Sequence, residues 1–246
     1  MSQKILAISG AKQSGKTTCA KFLYGYEMKR NNVIEQFEIT DDGRLLVNAS
    51  FTSADGEKTD GMGVFDIFRG DYQFIEYAST HIWPHIKAYN FADSLKSVAI
   101  ELFGLTYEQC YGTEEEKNTY TTVRKPNGTV CFMAREFLQY FGTNVCRTLK
   151  PDIWTSFCLN QVEAEQSKMA VIADCRFPNE AEAIQSRGGK VVRLTRELYE
   201  DSHQSEVALK NYGKFDVVID NTKMTIKEQN EELLAAMLDW GWVESV

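Results

Sequence analysis

"ISGAKQSGKTT", residues Ile8 to Thr18, is the stretch from which the rest of the chain is read. Its centre, Gly10-x-x-x-x-Gly15-Lys16-Thr17, is a complete G-x-x-x-x-G-K-[ST] phosphate loop. The apolar run from Lys4 to Ser9 reads as a buried strand that stops at Gly10. From Gly15 onward Cys19, Phe22, Leu23 and Tyr26 recur at helical spacing. Strand, glycine loop and helix therefore follow in the order a phosphate grip needs. The glycines let successive backbone N–H groups converge on phosphate oxygens, and the helix aims its positive end at the same charge. Gly10, Gln13, Ser14, Gly15, Lys16, Thr17 and Thr18 are the expected triphosphate-binding residues. Lys16 would neutralise the β- and γ-phosphates, and the Thr17 hydroxyl would ligate Mg2+.

Composition narrows the classes around this motif. The chain has 246 residues, 43% of them hydrophobic, enough for one compact domain with a sizeable core. Lys and Arg number 27 against 35 Asp and Glu, a net charge of −8, so a polymeric nucleic acid is disfavoured as a partner. A small phosphorylated substrate is compatible, because a few well-placed cations can reverse the potential locally. The six cysteines (Cys19, Cys110, Cys131, Cys146, Cys158 and Cys175) are scattered with no C-x-x-C pair, which suits reduced cytosolic thiols rather than disulfides or zinc. No apolar run reads as a signal peptide or a membrane span. A cytoplasmic protein with no membrane partner is expected.

Further along, Phe37 and Ile39, then Leu45 and Val47, alternate with polar residues around the turn "DDGR" and predict a β-hairpin. "ADGEKTDGMG" (54–63) reads as a loop and "VFDIF" as another short strand, so residues 33–80 form an inserted β-rich excursion. Leu95, Val98, Ala99, Leu102 and Phe103 predict a helix capped by Asp93 and closed by Gly104. Residues 106–130 read as a polar loop, with the acidic run 114–116 solvated. Met133, Phe137, Phe141 and Val145 predict a helix bent near Gly142, and Trp154 to Val162 another. "MAVIAD" (169–174), "KVVRLT" and "FDVVID" are buried strands. A helix from Pro178 to Arg187 lies among them, and a capping box of Thr225 and Glu228 opens the last helix. Buried strands alternating with helices predict an α/β fold, a parallel sheet covered on both faces in three layers.

Asp174 ends one of these strands, where a carboxylate can hold Mg2+ or orient an attacking group. The alternative is a cap for the helix starting at Pro178. Arg176, two residues on, projects from the same carboxyl edge, where open α/β sheets bind ligands. An acid and an arginine together suit a phosphorylated acceptor better than a lone water.

With these residues in view, the chain resembles the deoxynucleoside monophosphate kinases of tailed bacteriophages. The matching pieces are "GAKQSGKTT", "FADSLK" (91–96), "REFLQYFGTNVCR" (135–147), Trp154, "DCRFPNEAE" (174–182), "DSHQSE" (201–206) and "DVVIDN" (216–221), in the family's order. The likeness covers residues 4–30 and 88–240. It implies a single P-loop kinase domain over 1–246, with ATP and Mg2+, transferring the γ-phosphate to a deoxynucleoside 5′-monophosphate. By motif, Lys96 and Arg135 would face the acceptor, Gly142, Thr143 and Trp154 would shape its pocket, and Asp174 and Arg176 would meet it near the transferred group. Asn221 would lie by the adenine of ATP.

Plainer readings stand beside these: Lys96 solvated on a polar helix face, Trp154 in core packing, His203 and Glu206 structural. Arg124 and Arg196 are further candidate cations, and 106–130 a candidate lid that excludes water. The inserted hairpin is a candidate for extending a sheet edge or for a homodimer contact. If the chain is phage-encoded, it would work in the host cytoplasm. The rival readings are a kinase of phosphomevalonate or dephospho-coenzyme A type and a P-loop NTPase switch. The switch would carry N-K-x-D, which is absent here. Base preference and deoxy-versus-ribo choice stay open at this level.

Overall fold

The computed structural model describes residues 3–52, 58–128, 130–197 and 208–244. The stretch Asp201 to Glu206, with His203, lies outside the described residues, as does 54–57 of the expected loop. The chain divides into two compact units, Met1–Tyr89 with Val162–Val246, and Asn90–Gln161.

The first unit is built on a five-stranded, all-parallel sheet. Its strands are β1 (Lys4–Ser9), β5 (Ile86–Tyr89), β8 (Met169–Cys175), β9 (Lys190–Leu194) and β10 (Val217–Ile219), ordered β10-β9-β1-β8-β5. β1 and β8 are buried almost throughout, which is why they read as continuous apolar runs rather than alternating ones. Helix α1 (Lys16–Arg30) places Cys19, Ala20, Leu23, Tyr24 and Met28 against Leu6 and Ile8 of β1. Leu233 and Met237 of α10 (Ile226–Asp239) join the same core. Leu6, Ile8, Leu23 and Met237 have no exposed surface; burying a side chain of this kind stabilises by about 1.5–3 kcal/mol. Helix α9 (Pro178–Gln185) packs on β1 and β9, with Ile184 close to the Ile5 carbonyl across Gly189. From β1 the chain crosses to the edge strand β5 and returns to β8, and from β8 it passes β1 to reach β9 and then β10. The connections leaving β1 and its neighbour β8 thus run in opposite directions, and a crevice opens between them at the carboxyl edge.

The inserted segment is a separate antiparallel sheet, β2 (Phe37–Ile39), β3 (Leu45–Thr52) and β4 (Lys58–Phe65), and does not extend the central one. The hairpin stands as expected, with Thr40 and Gly43 closing its turn. Two expectations need correction. Residues 58–63 are strand rather than loop, because backbone pairing of Leu45↔Phe65 through Thr52↔Lys58 asks nothing of side-chain polarity. Residues 72–80 are not β-rich but helical, in α2 (Tyr72–His81), whose N-terminus Asp71 caps by accepting from Phe74 N.

The second unit holds α3 (Asp93–Phe103), α4 (Tyr107–Tyr111), α5 (Glu114–Lys117), a ribbon of β6 (Tyr120–Arg124) and β7 (Cys131–Met133), α6 (Ala134–Gln139), α7 (Arg147–Leu149) and the start of α8 (Ile153–Glu165). The bend expected near Gly142 is a π-helical segment, Tyr140–Cys146, between α6 and α7. Asp93 is the first residue of α3; the capping position belongs to Ala92. The expected loop 106–130 is mostly regular. Thr106 with Gln109 and Thr113 with Glu116 form capping boxes that start α4 and α5, so the acidic run is a helix. Phe103, Phe132, Phe137 and Phe141 supply this unit's core, with Phe137 and Phe141 stacked 5.5 Å apart.

Candidate active site

The phosphate loop leaves β1 in a conformation ordinary residues resist. Gly15 takes φ 105° and Gln13 φ 59°. A Cβ on Gly15 would come within 2.6 Å of Gln229 Oε1, and one on Gly10 would collide with Ser14 Oγ. Both glycines are needed where the backbone is tightest. Ser14 Oγ is buried with no hydrogen-bond partner among the described residues. Thr17 and Gln13 face solvent.

Lys16 folds back on the loop. Its Nζ donates to the carbonyls of Gly10 (2.8 Å) and Ala11 (2.6 Å). Burial lowers its pKa to about 7, helped by the charges of Arg176 and Arg193 and opposed by Asp174. These four side chains thus share one electrostatic neighbourhood at the carboxyl edge of β1, β8 and β9. The pairing of β8 with β1 shifts register between Ala7↔Ile172 and Ser9↔Cys175. That irregularity re-aims the end of β8, where Asp174 lies. Asp174 does not cap the following helix: the capping position is Phe177. Buried Glu180 instead accepts from the backbone N–H groups of Arg176 (2.7 Å) and Phe177 (3.0 Å), fixing the turn that presents Arg176.

Behind the loop lies a brace. Asn221 Nδ2 donates to the Ser14 carbonyl (2.7 Å) and to Gln229 Oε1 (2.5 Å), and its Oδ1 accepts from Arg196 N (2.8 Å). The Asn221 side chain is wholly buried, so the adenine contact implied by the resemblance is not one this amide can make here. Arg196 is no free cation either, since its guanidinium donates to the carbonyls of Asn221 and Met224. Gln229 Nε2 donates to Cys19 Sγ (3.1 Å); burial still pushes that thiol up to about 12, so it stays protonated and unreactive.

The second unit groups its own candidates. Arg135, near the start of α6, is met by the anion its position calls for. A single Nη2 donates to both oxygens of Glu114 at 2.8 Å, while Nε is buried without a partner among the described residues. Lys96 Nζ stands 4.1 Å from the centroid of the Tyr111 ring. The Tyr111 hydroxyl is raised by burial and by the nearby Asp93. Gly142 is buried in the π-helical segment, with Thr143 beside it half-exposed, and the Gly142 carbonyl accepts from Trp154 Nε1 (3.0 Å). Trp154 is therefore buried and bonded as a structural member of this cluster. Arg124 is exposed and reaches the Gly128 carbonyl only at 3.4 Å.

Sequence reasoning missed Glu180, Gln229 and Arg193. Glu180 had a signal: Pro178 opening a helix, with a Glu two positions later. Arg193 and Gln229 had none, being one polar residue in a strand and one in an amphipathic helix.

A five-stranded parallel sheet flanked by helices, with a phosphate loop at its reversal point, is the fold of a P-loop kinase. The model of the deoxynucleotide monophosphate kinase family matches residues 4–231, and the chain belongs to that family. A protein of Acanthamoeba polyphaga mimivirus, named provisionally a deoxynucleotide monophosphate kinase, is 32% identical over 162 residues, covering 60% of this chain and 81% of that one. The likeness thus reaches a giant virus, beyond the tailed phages that the motifs first suggested. The protein is an enzyme, a nucleotide-monophosphate kinase. Among the described residues no helix is long and apolar enough to cross a membrane.

Proposed function

We propose that the enzyme transfers the γ-phosphate of ATP to the 5′-phosphate of a deoxynucleoside monophosphate, giving the deoxynucleoside diphosphate and ADP. One observation carries this reading. In a chain of net charge −8, Lys16, Arg176 and Arg193 gather beside Asp174 at the phosphate loop, and the pKa of Lys16 is lowered to about 7, first by burial and then by the other two cations. A polyphosphate is the ligand that relieves this arrangement.

The residues present fit Mg2+ as well as the nucleotide. The exposed Thr17 hydroxyl and the half-exposed Asp174 carboxylate are hard oxygen donors, and Ser14 Oγ is a further loop oxygen without a protein partner among the described residues. The metal, when bound, supplies neutralisation of charge on the phosphate oxygens. The remaining work falls to the chain. Lys16 exchanges two loop carbonyls for phosphate oxygens and regains its full charge as it does so. Arg176, held by Glu180, stabilises charge that spreads over the transferred group, and Asp174 orients the attacking phosphate oxygen. Asn221 and Gln229 brace the loop from behind rather than touching adenine. Lys96, Arg135, Gly142 and Thr143 are assigned to the acceptor, with Trp154 holding the π-helical segment that carries two of them. Residues 106–130 remain the candidate for covering the acceptor.

A coupled ADP-release assay with ATP, Mg2+ and each deoxy- and ribonucleoside monophosphate tests this reading, with Lys16→Ala as the blank. Release that depends on particular deoxynucleotides supports it and names the acceptor. ATP turnover that no nucleotide stimulates refutes it.

A further inference from the structure

Arg193 lies in none of the motifs that carry the family likeness, yet β9 delivers it to the phosphate loop. In the sheet register it stands opposite Ser9, the residue before Gly10, and its Nη1 donates to Ser9 Oγ (3.1 Å). The next residue, Leu194, brings its carbonyl within 3.2 Å of where a Cβ on Gly10 would stand. The end of β9 thus abuts the first residue of the loop.

The state of the guanidinium there is unusual. Its side chain is only 11% exposed, and a guanidinium cannot shed its charge. Its nearest counter-charge is Glu197, with Nη2 3.8 Å from the carboxylate, beyond hydrogen-bond reach, and the Cys175 thiol also lies near. The Phe215 ring lies 5.9 Å away. Of five donors, one is well matched. None of its nitrogens is a buried donor without a partner, so the unmatched ones reach the surface, where an anion can meet them. Glu197, at long range, is a weak counter-charge that a phosphate can displace. The guanidinium also stands near enough to Lys16 for the two positive charges to act on each other, so both can face one ligand at the loop.

We infer that Arg193 is a further phosphate-binding residue, supplying with Lys16 and Arg176 a third cation for the terminal phosphate of the donor. This rests on the reading of ATP as donor. The loop's backbone N–H groups and the start of α1 serve the inner phosphates, whereas the cations cluster at the ends of β8 and β9. Lys16, Arg176 and Arg193 together supply more positive charge than inner phosphates already held by the loop would need. Arg193 therefore distinguishes ATP from ADP, and its fork helps hold the terminal group in line for transfer.

Calorimetric titration of ATP and of ADP, without acceptor, into wild type, R193Q, R193K and S9A tests this directly. The R193Q protein is expected to bind ATP about 10–100-fold more weakly, the range for losing charge-assisted hydrogen bonds. Its ADP affinity should change by less than about threefold, since the inner phosphates keep the loop's N–H groups. S9A, which only releases the guanidinium, should weaken ATP by a smaller factor than R193Q. Equal weakening of ATP and ADP would mean that Arg193 merely supports the fold, and unchanged ATP affinity would mean that it touches no phosphate. Either result overturns the inference. Should R193Q fail to fold, R193K decides: a lysine keeps the charge without the fork, so wild-type affinities for both nucleotides in R193K overturn it too. Wild type that binds ATP but shows no nucleotide-dependent ADP release would sink the proposed reaction while leaving the ATP/ADP ratio to be read. Wild type that binds no ATP overturns both.

Discussion

The two units hold their candidate residues by different means. In the first, the functional groups hang on the ends of buried parallel strands and are fixed from behind by a fully buried amide network, Asn221 with Gln229 and Ser14. In the second, they sit on helices and are fixed by partly exposed pairs such as Arg135 with Glu114 and Lys96 over Tyr111. Phosphate geometry is the same for every nucleotide, so a rigid backbone cradle is the economical way to grip it. An acceptor must enter and leave, and surface pairs worth about 0–1 kcal/mol can exchange for ligand contacts without unfolding anything.

The contrast breaks most sharply at Lys16. Lys16→Ala should lower turnover by about 10²–10³-fold while the melting temperature stays level or rises, because a desolvated ammonium is removed. A steady-state assay with a thermal melt checks both; a fall in stability with turnover retained would contradict it. Titration sharpens the same point. Lys16 ionises near 7 in the fold against 10.5 in a free side chain. Between those values the unfolded chain holds the extra proton, so this group's contribution makes stability rise with pH across that window. Below about 7 both states are protonated and the full cost of burial is present. A polyphosphate favours the charged form, so ATP binding near about pH 8 should take up protons. Titrations in two buffers of different ionisation enthalpy read that uptake directly, and binding with no proton exchange would show that Lys16 is already charged.

Glu180 comes next. Glu180→Ala should cost about 3 kcal/mol by stranding two backbone donors, and Glu180→Gln about 1 kcal/mol, with turnover falling in the same order. Chemical denaturation settles the stability part, and an Ala variant as stable as wild type would rule out the proposed clamp on the Arg176 turn. In the second unit the expected signature is inverted. Arg135→Ala should raise the acceptor KM about 10–100-fold, the scale of lost charge-assisted bonds, and leave ATP binding and stability nearly untouched. A raised KM for ATP instead would remove Arg135 from the acceptor's side. Trp154→Phe, which loses one bond to the Gly142 carbonyl, should cost only about 1 kcal/mol. A larger loss of acceptor affinity than of stability would give the indole a direct role in binding.

Much of the first unit was legible because its signals are local. The G-x-x-x-x-G-K-T spacing, the apolar runs of β1 and β8 and the Thr225–Glu228 box each state their structure within a few residues. The second unit was harder. Two capping boxes were present at Thr106 and Thr113, but the polar composition of 106–130 hid them, since short helices carry too little apolar pattern to outweigh their loops. β4 was read as loop for a related reason. Its glycines and charges suit a turn, and only the partner strand β3 supplies the hydrogen bonds that make it a strand.

The sequence alone determined the phosphate loop, the parallel α/β class, the acid ending β8 and, through its ordered motifs, the family. Each of these is written in residues close together along the chain. Tertiary structure decided which cations stand beside Lys16, why Asn221 and Arg196 serve the loop's frame, and that Arg135 rests on Glu114. Those facts join residues as far apart as Ser14 and Asn221 or Ser9 and Arg193. Strand order and register bring such residues together, and no local spacing in one sequence records either.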